Sequence, residues 1–120
     1  MASLIFPVTN YSYIIHTPGN RDYLMIDGQM LKVRGVISCT GEGYRVYVIA
    51  LADDSPFPAN FYDPKGKAVW IFCRTEQFPW HIDLLRNEKP VFCFVGVNDT
   101  DNRGTCSLTT SAEPVGEGEP

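Results

Sequence analysis

Residues 68–74, AVWIFCR, put two large aromatics and a cation on alternate positions: Trp70, Phe72 and Arg74. In a strand, successive side chains point to opposite faces, so these three share one face while Val69, Ile71 and Cys73 share the other. The second set is ordinary core material. The first offers flat π surfaces on which another planar group can stack, next to a positive charge. Such a face binds; it does not catalyse.

Other combinations that could do chemistry are poorly developed. His16 and His81 are far apart, and neither has a cysteine or acid at ligand spacing. The GEG at 41–43 lacks the Lys-Ser/Thr ending of a phosphate-binding loop. Asp53-Asp54 and the Asp99/Asp101 pair have the oxygen chemistry for a hard cation, but they flank turns, where aspartate is a common turn-former. No nucleophile has a base beside it. The expectation is a non-enzymatic binding module without a metal or cofactor.

The four cysteines, Cys39, Cys73, Cys93 and Cys106, are widely spaced with no CxxC pair. Three of them (Cys73, Cys93 and Cys106) lie in apolar or alternating runs, which reads as small buried hydrophobes in a reducing compartment, the cytoplasm. No run of about 18 apolar residues is present, so no membrane span is expected. The opening MASLIFPV has no basic residue and its apolar run breaks at Pro7, so a secretory leader is not expected either.

At 120 residues, 44% hydrophobic and 20% charged, the chain has the composition of one soluble domain. Its net charge of −4 argues against coating duplex DNA by charge alone. Three of the negative charges are Glu113, Glu117 and Glu119 in the tail. Between positions 32 and 74 lie six cations (Lys32, Arg34, Arg45, Lys65, Lys67, Arg74) and four acids (Glu42, Asp53, Asp54, Asp63), so one face is allowed to be mildly basic.

The elements that must position the aromatic face are mostly strands. YSYIIHT and DYLMIDG, separated by the turn signal PGNR, predict an N-terminal hairpin. QMLKVRGVISCT alternates, with Leu31, Val33, Gly35 and Ile37 on one side and Lys32, Arg34, Val36 and Ser38 on the other. YRVYVIALADD is a nearly unbroken run of strand formers. DSPFPANFYDPKGK is broken by Pro56, Pro58, Pro64 and Gly66 and reads as a long irregular connection with aromatic anchors. TEQFPWHIDLLRNEK has helical spacing at Phe78, Ile82 and Leu85, with Pro79 in the first turn. PVFCFVGVND and GTCSLTTSAE complete the strands. Residues 1–112 read as a single β-barrel domain, and 113–120 as a disordered acidic tail.

From residue 30 the order strand, strand, strand, helix, strand, strand resembles the OB-fold, a five-stranded Greek-key barrel, here with an added N-terminal hairpin. The likeness rests on VRGVISC as a bent first strand with Gly35, VIALADD as the exit of the second, NEKPVFCFVGV as helix end and fourth strand, and the final GTCSLTTSAE. It covers about residues 30–112. It implies a ligand on the face of strands 2 and 3, where bases stack on aromatic side chains and cations follow phosphates. The residues so implied are Lys32, Arg34, Tyr44, Tyr47, Lys65, Lys67, Trp70, Phe72 and Arg74, with Phe57, Phe61 and Tyr62 flanking them. Tyr44 or Tyr47 stands beside Trp70, according to which parity faces out. The implied ligand is single-stranded DNA or RNA, resembling the small single-stranded nucleic-acid-binding proteins, although the tail ends in EGEP with no apolar residue to dock into a partner. Two alternatives stay open. Tyr11, Tyr13, Ile14 and Ile15 of the hairpin, or a second subunit in a homodimer, cover the aromatic face; or the face binds a protein or a sugar, as a β-barrel adaptor would.

Overall fold

A computed structural model describes residues 2–15 and 23–110. These residues form nine strands and one short α-helix: β1 (Ala2–Val8), β2 (Asn10–Ile15), β3 (Tyr23–Ile26), β4 (Gln29–Gly41), β5 (Tyr44–Leu51), β6 (Phe61–Asp63), β7 (Ala68–Arg74), α1 (Phe78–Asn87), β8 (Val91–Val97) and β9 (Gly104–Thr110). A 3-10 turn at Thr75–Gln77 leads into α1. As the spacing predicts, Pro79 sits in the first turn and Phe78 and Ile82 are buried. The expected tail, the PGNR turn and His16 lie outside the described residues.

The strands lie in two sheets. One has the order β1-β8-β9 and the other β2-β4-β5-β7-β6, with β3 attached to β4. Residues 2–15 serve both: β1 pairs with β8, and after Thr9 the chain crosses over so that β2 pairs with β4. Gly41 makes this crossing possible, because a side chain there would collide with the Pro7 carbonyl. At the far side the sheets meet again through a single bridge, Phe61 to Arg103. The two sheets are therefore not closed into one ladder of five strands.

Three expectations change. The N-terminal hairpin does not form: β2 and β3 lie one after the other along β4, and β3 makes its hairpin with β4. That turn is Asp27-Gly28, both at positive φ, and Glu42-Gly43 turns β4 into β5 in the same way. Secondly, the connection at residues 52–67 is not irregular throughout: β5 and β7 run parallel, and these residues form the crossover between them. Part of that crossover is itself a strand, β6, held antiparallel to β7.

The third change is in β4. The register slips between Val33 and Gly35, leaving Arg34 as an extra residue. Leu31 and Val33 consequently face one side of the sheet, while Ile37 and Cys39 face the other. The single apolar face expected for Leu31, Val33 and Ile37 is split between two clusters.

The main core lies between the six-stranded sheet, the three-stranded sheet and α1. Phe6, Ile37, Val48, Val69, Ile71, Val95 and Phe78 are among its members. All four cysteines are buried in it as free thiols. Burial pushes Cys39 and Cys93 up to about 12, and Cys73 and Cys106 up to about 11. The sheet face on this core is called inner here, and the opposite face outer.

Candidate functional site

Strand β7 keeps its expected parity. Val69, Ile71 and Cys73 point into the main core, while Trp70 and Phe72 point outward into a second apolar cluster with Ile49 and Leu51. Ile71 is 4% exposed, and Trp70 is half-buried. The cover is not the one expected from Tyr11–Ile15, because Tyr13, Ile14 and Ile15 are all exposed. It is the β3–β4 arm, whose Leu24, Ile26, Leu31 and Val33 pack onto this cluster. The bulge at Arg34 turns these residues to the outer side. At the arm's tip, Asp27 forms an ion pair with Arg103.

The arm covers only part of the outer face. Phe72 is 5% exposed beneath it. One row further on, the strand register sets Ser12, Ser38, Tyr47, Trp70 and Phe61 side by side across β2, β4, β5, β7 and β6, and the bridge adds Arg103. Tyr47 and Trp70 have ring centroids 4.6 Å apart, and Trp70 and Phe61 are 5.8 Å apart with planes within 11°. The Arg103 guanidinium lies 5.1 Å from the Phe61 centroid. The row thus runs from cation through three rings to two small hydroxyl residues. Tyr47 has the Trp70 ring on one flank and the much smaller Ser38 on the other.

The next row along the strands sets Asn10, Thr40, Arg45, Ala68 and Asp63 side by side. Arg45 is exposed and lies on the same face as Tyr47, two residues away. Its backbone N–H donates to the Lys67 carbonyl, which places the 64–67 turn beside it. Arg45, the Tyr47 ring, and the amide and hydroxyls of Asn10, Ser12, Ser38 and Thr40 thus lie in adjoining rows on one side of the sheet.

The residues implied by sequence divide as follows. Tyr47 and Trp70 meet in the row. Phe72 shares their face but is sealed under the arm, and so separates Trp70 from Arg74. Arg74 lies beyond it, with its guanidinium 4.4 Å from the exposed Phe57 ring and donating to the Ala52 carbonyl. Tyr44, three residues from Tyr47, takes the inner side and stacks on Phe6 at 4.5 Å. Lys67 places its ammonium over Tyr44, 5.5 Å from the centroid. Lys65 is in the turn, where its backbone N–H donates to Asp63. Lys32 and Arg34 are on the far side from Trp70. Lys32 pairs with Asp54 at 2.5 Å and holds that carboxyl below its ordinary range, while Arg34 lines a cleft with Phe78 and Pro79. A groove joining Lys32, Arg34, Lys67 and Arg74 does not exist, because the bulge puts the first two on the other face.

Arg45, Ser38 and Arg103 were not singled out by the sequence reading. For Arg45 the signal was present, since it alternates with Tyr47 along one strand. Arg103 reaches the row only through a bridge spanning 42 residues, for which the sequence carries no local sign.

Among the described residues, no group of three or more His, Cys, Asp or Glu side chains is arranged to hold a metal ion, and no helix is long and apolar enough to cross a membrane. Comparisons with protein-family models, with curated proteins and with solved structures find no match.

Proposed function

We propose that this chain is a binding module for single-stranded nucleic acid, which it takes across the open part of the outer face without sequence specificity. The observation that carries the reading is the row Ser12–Ser38–Tyr47–Trp70–Phe61–Arg103 with Arg45 beside it. A base stacks against the free flank of Tyr47 over Ser38. Arg45 meets the adjoining phosphate, and the hydroxyls of Ser12, Ser38 and Thr40 are spare donors and acceptors for sugar and backbone oxygens. A protein adaptor using this same face is less well supported, because its most apolar part already holds the chain's own arm.

The reading carries with it an OB-type architecture for residues 30–112. In favour are the long, bulged β4, the helix between β7 and β8, and the bridge that brings the two sheets together opposite the shared N-terminal segment. The parallel β5–β7 pair departs from a plain meander. A reducing, cytoplasmic setting fits four buried free thiols.

The test is a titration of labelled single-stranded DNA and RNA at two salt concentrations. Tyr47→Ala removes a stacking platform and weakens binding about 5- to 100-fold at either salt. Arg45→Ala weakens it mainly at low salt, and the log–log salt dependence becomes shallower by somewhat under ~1 unit. If wild type shows no salt-sensitive binding, or Tyr47→Ala binds as tightly as wild type, the reading fails.

A further inference from the structure

Strand β3 reads YLMI, four apolar residues in succession, the pattern of a strand buried on both faces. Its own chain buries only one. Leu24 and Ile26 pack onto the second cluster, whereas Tyr23, Met25 and Met30 on the other side of the arm are 52%, 58% and 51% exposed. The register extends this strip, because Ile15 lies opposite Gly35 on the same side and is 65% exposed. Next to Ile15 is a cleft of about 390 Å³ walled by Arg34, Ala50, Phe78 and Pro79. Exposed large apolar side chains grouped on one side of an arm in this way mark an interaction surface.

We infer that the occupant is a second copy of this chain, packed arm against arm across a twofold axis. Charge is the first argument. A surface that pairs with itself brings each charge close to its own duplicate, and like charges in register are destabilising. Strands β2 and β3 carry no charged residue. Lys32, the cation on this side of the arm, is neutralised by Asp54 of its own chain, and Asp53 lines the same cleft as Arg34. Among the described residues the charges beside the strip, Lys32 and Arg34 against Asp53 and Asp54, cancel in number, so two copies meet here without a net like charge.

Edge geometry is the second argument. Among the described residues β3 pairs only with β4, so its other edge is free. A twofold axis presents that edge with an antiparallel copy of itself, which is the arrangement edge strands pair in most readily. The four exposed side chains alone supply roughly 400 Å², about half of the ~800 Å² per partner of a standard interface, before backbone and cleft walls are added. The strip lies on the opposite side of the sheet from Tyr47 and Trp70, so the dimer stands or falls independently of nucleic-acid binding.

The mass of the full chain in solution, by sedimentation equilibrium over a range of concentrations, tests this. Wild type is expected at twice the chain mass. Met25→Lys and Ile15→Lys each set a lysine near its own copy and raise the dimer dissociation constant about tenfold or more. Ile5→Lys, on the exposed face of β1, leaves it unchanged. Because a lysine can also disturb the arm, Met25→Cys gives a second readout: the native thiols are buried, so mild oxidation cross-links this variant as a dimer, and Ile5→Cys does not cross-link. A monomeric wild type, a dimer indifferent to both lysines, or failure of Met25→Cys to cross-link overturns the inference.

Discussion

Tyr44 and Tyr47 lie three residues apart on β5, each paired with another ring, and they have opposite meanings. Tyr44 stacks on Phe6, 1% exposed in the main core, and the Lys67 ammonium lies over its ring. Tyr47 leans on Trp70 and faces two serines on its other flank. A ring beside a cation is thus no sign of a binding site by itself, since the inner pair has both and is core. What distinguishes the outer ring is a small neighbour across the ladder, which leaves one flank free.

That contrast breaks most visibly in stability. Phe6→Ala removes a buried ring from the main core and is expected to cost about 3–5 kcal/mol. Tyr47→Ala removes a half-buried ring and one aromatic contact, whose pairing contributes about 0.5–1.5 kcal/mol beyond burial. Urea denaturation of both variants gives the comparison. If Tyr47→Ala is as destabilising as Phe6→Ala, Tyr47 is a core residue like Tyr44 and its free flank has no function.

Alkaline pH probes the buried thiols, all four of which are on the inner side and none in the outer cluster. Their pKa values rise from about 9 to between about 11 and 12 because burial disfavours the thiolate. The unfolded chain then releases protons above pH 9 that the folded chain retains. The stabilisation is fully present below pH 9 and is lost as pH climbs towards 11–12, at up to about 1.4 kcal/mol per pH unit for each thiol. Melting temperatures measured between pH 7 and 10.5 should fall from about pH 9 upward. Replacing Cys39 and Cys93 with alanine should flatten that fall, even though the cavities lower the melting temperature throughout. An unchanged slope would mean that other groups govern the alkaline limb.

Much of the chain was legible where its alternation is regular. Strand β7 divides into Ile71 inside and Trp70 outside as its period of two requires, and the helix at Phe78–Asn87 follows its apolar spacing. The alternation of β4 holds from Gly35 onward, with Ile37 inside and Ser38 outside, but fails over its first half, because one extra residue at Arg34 reverses the parity and turns Leu31 and Val33 outward. This is why Lys32 and Arg34 were assigned to the aromatic face and lie behind it. Choosing between Tyr44 and Tyr47 required the pairing partner of β5, and that partner is a parallel strand reached through a crossover. Which element covers Phe72 was not legible either. The arm owes its position to the bulge and to an Asp27–Arg103 contact that joins the β3–β4 turn to the approach to β9.

That contact supplies the subtlest difference between the two ring clusters. Lys67 lies over Tyr44 with no acid paired to it among the described residues, whereas Arg103 lies over Phe61 and is held by Asp27. A phosphate travelling along the row would have to compete with that carboxylate. Asp27→Asn removes the competitor and leaves the turn in place, since asparagine accepts the positive φ of 50° as readily as aspartate does. Asp27 is 63% exposed, so the lost ion pair should change stability by less than about 1 kcal/mol. Affinity for labelled single-stranded DNA should rise about two- to fivefold at low salt, and the gain should vanish at high salt, where screening weakens both contacts. A variant that binds no more tightly than wild type at low salt would show that the strand does not reach Arg103, confining the phosphate path to the Arg45 side of the sheet.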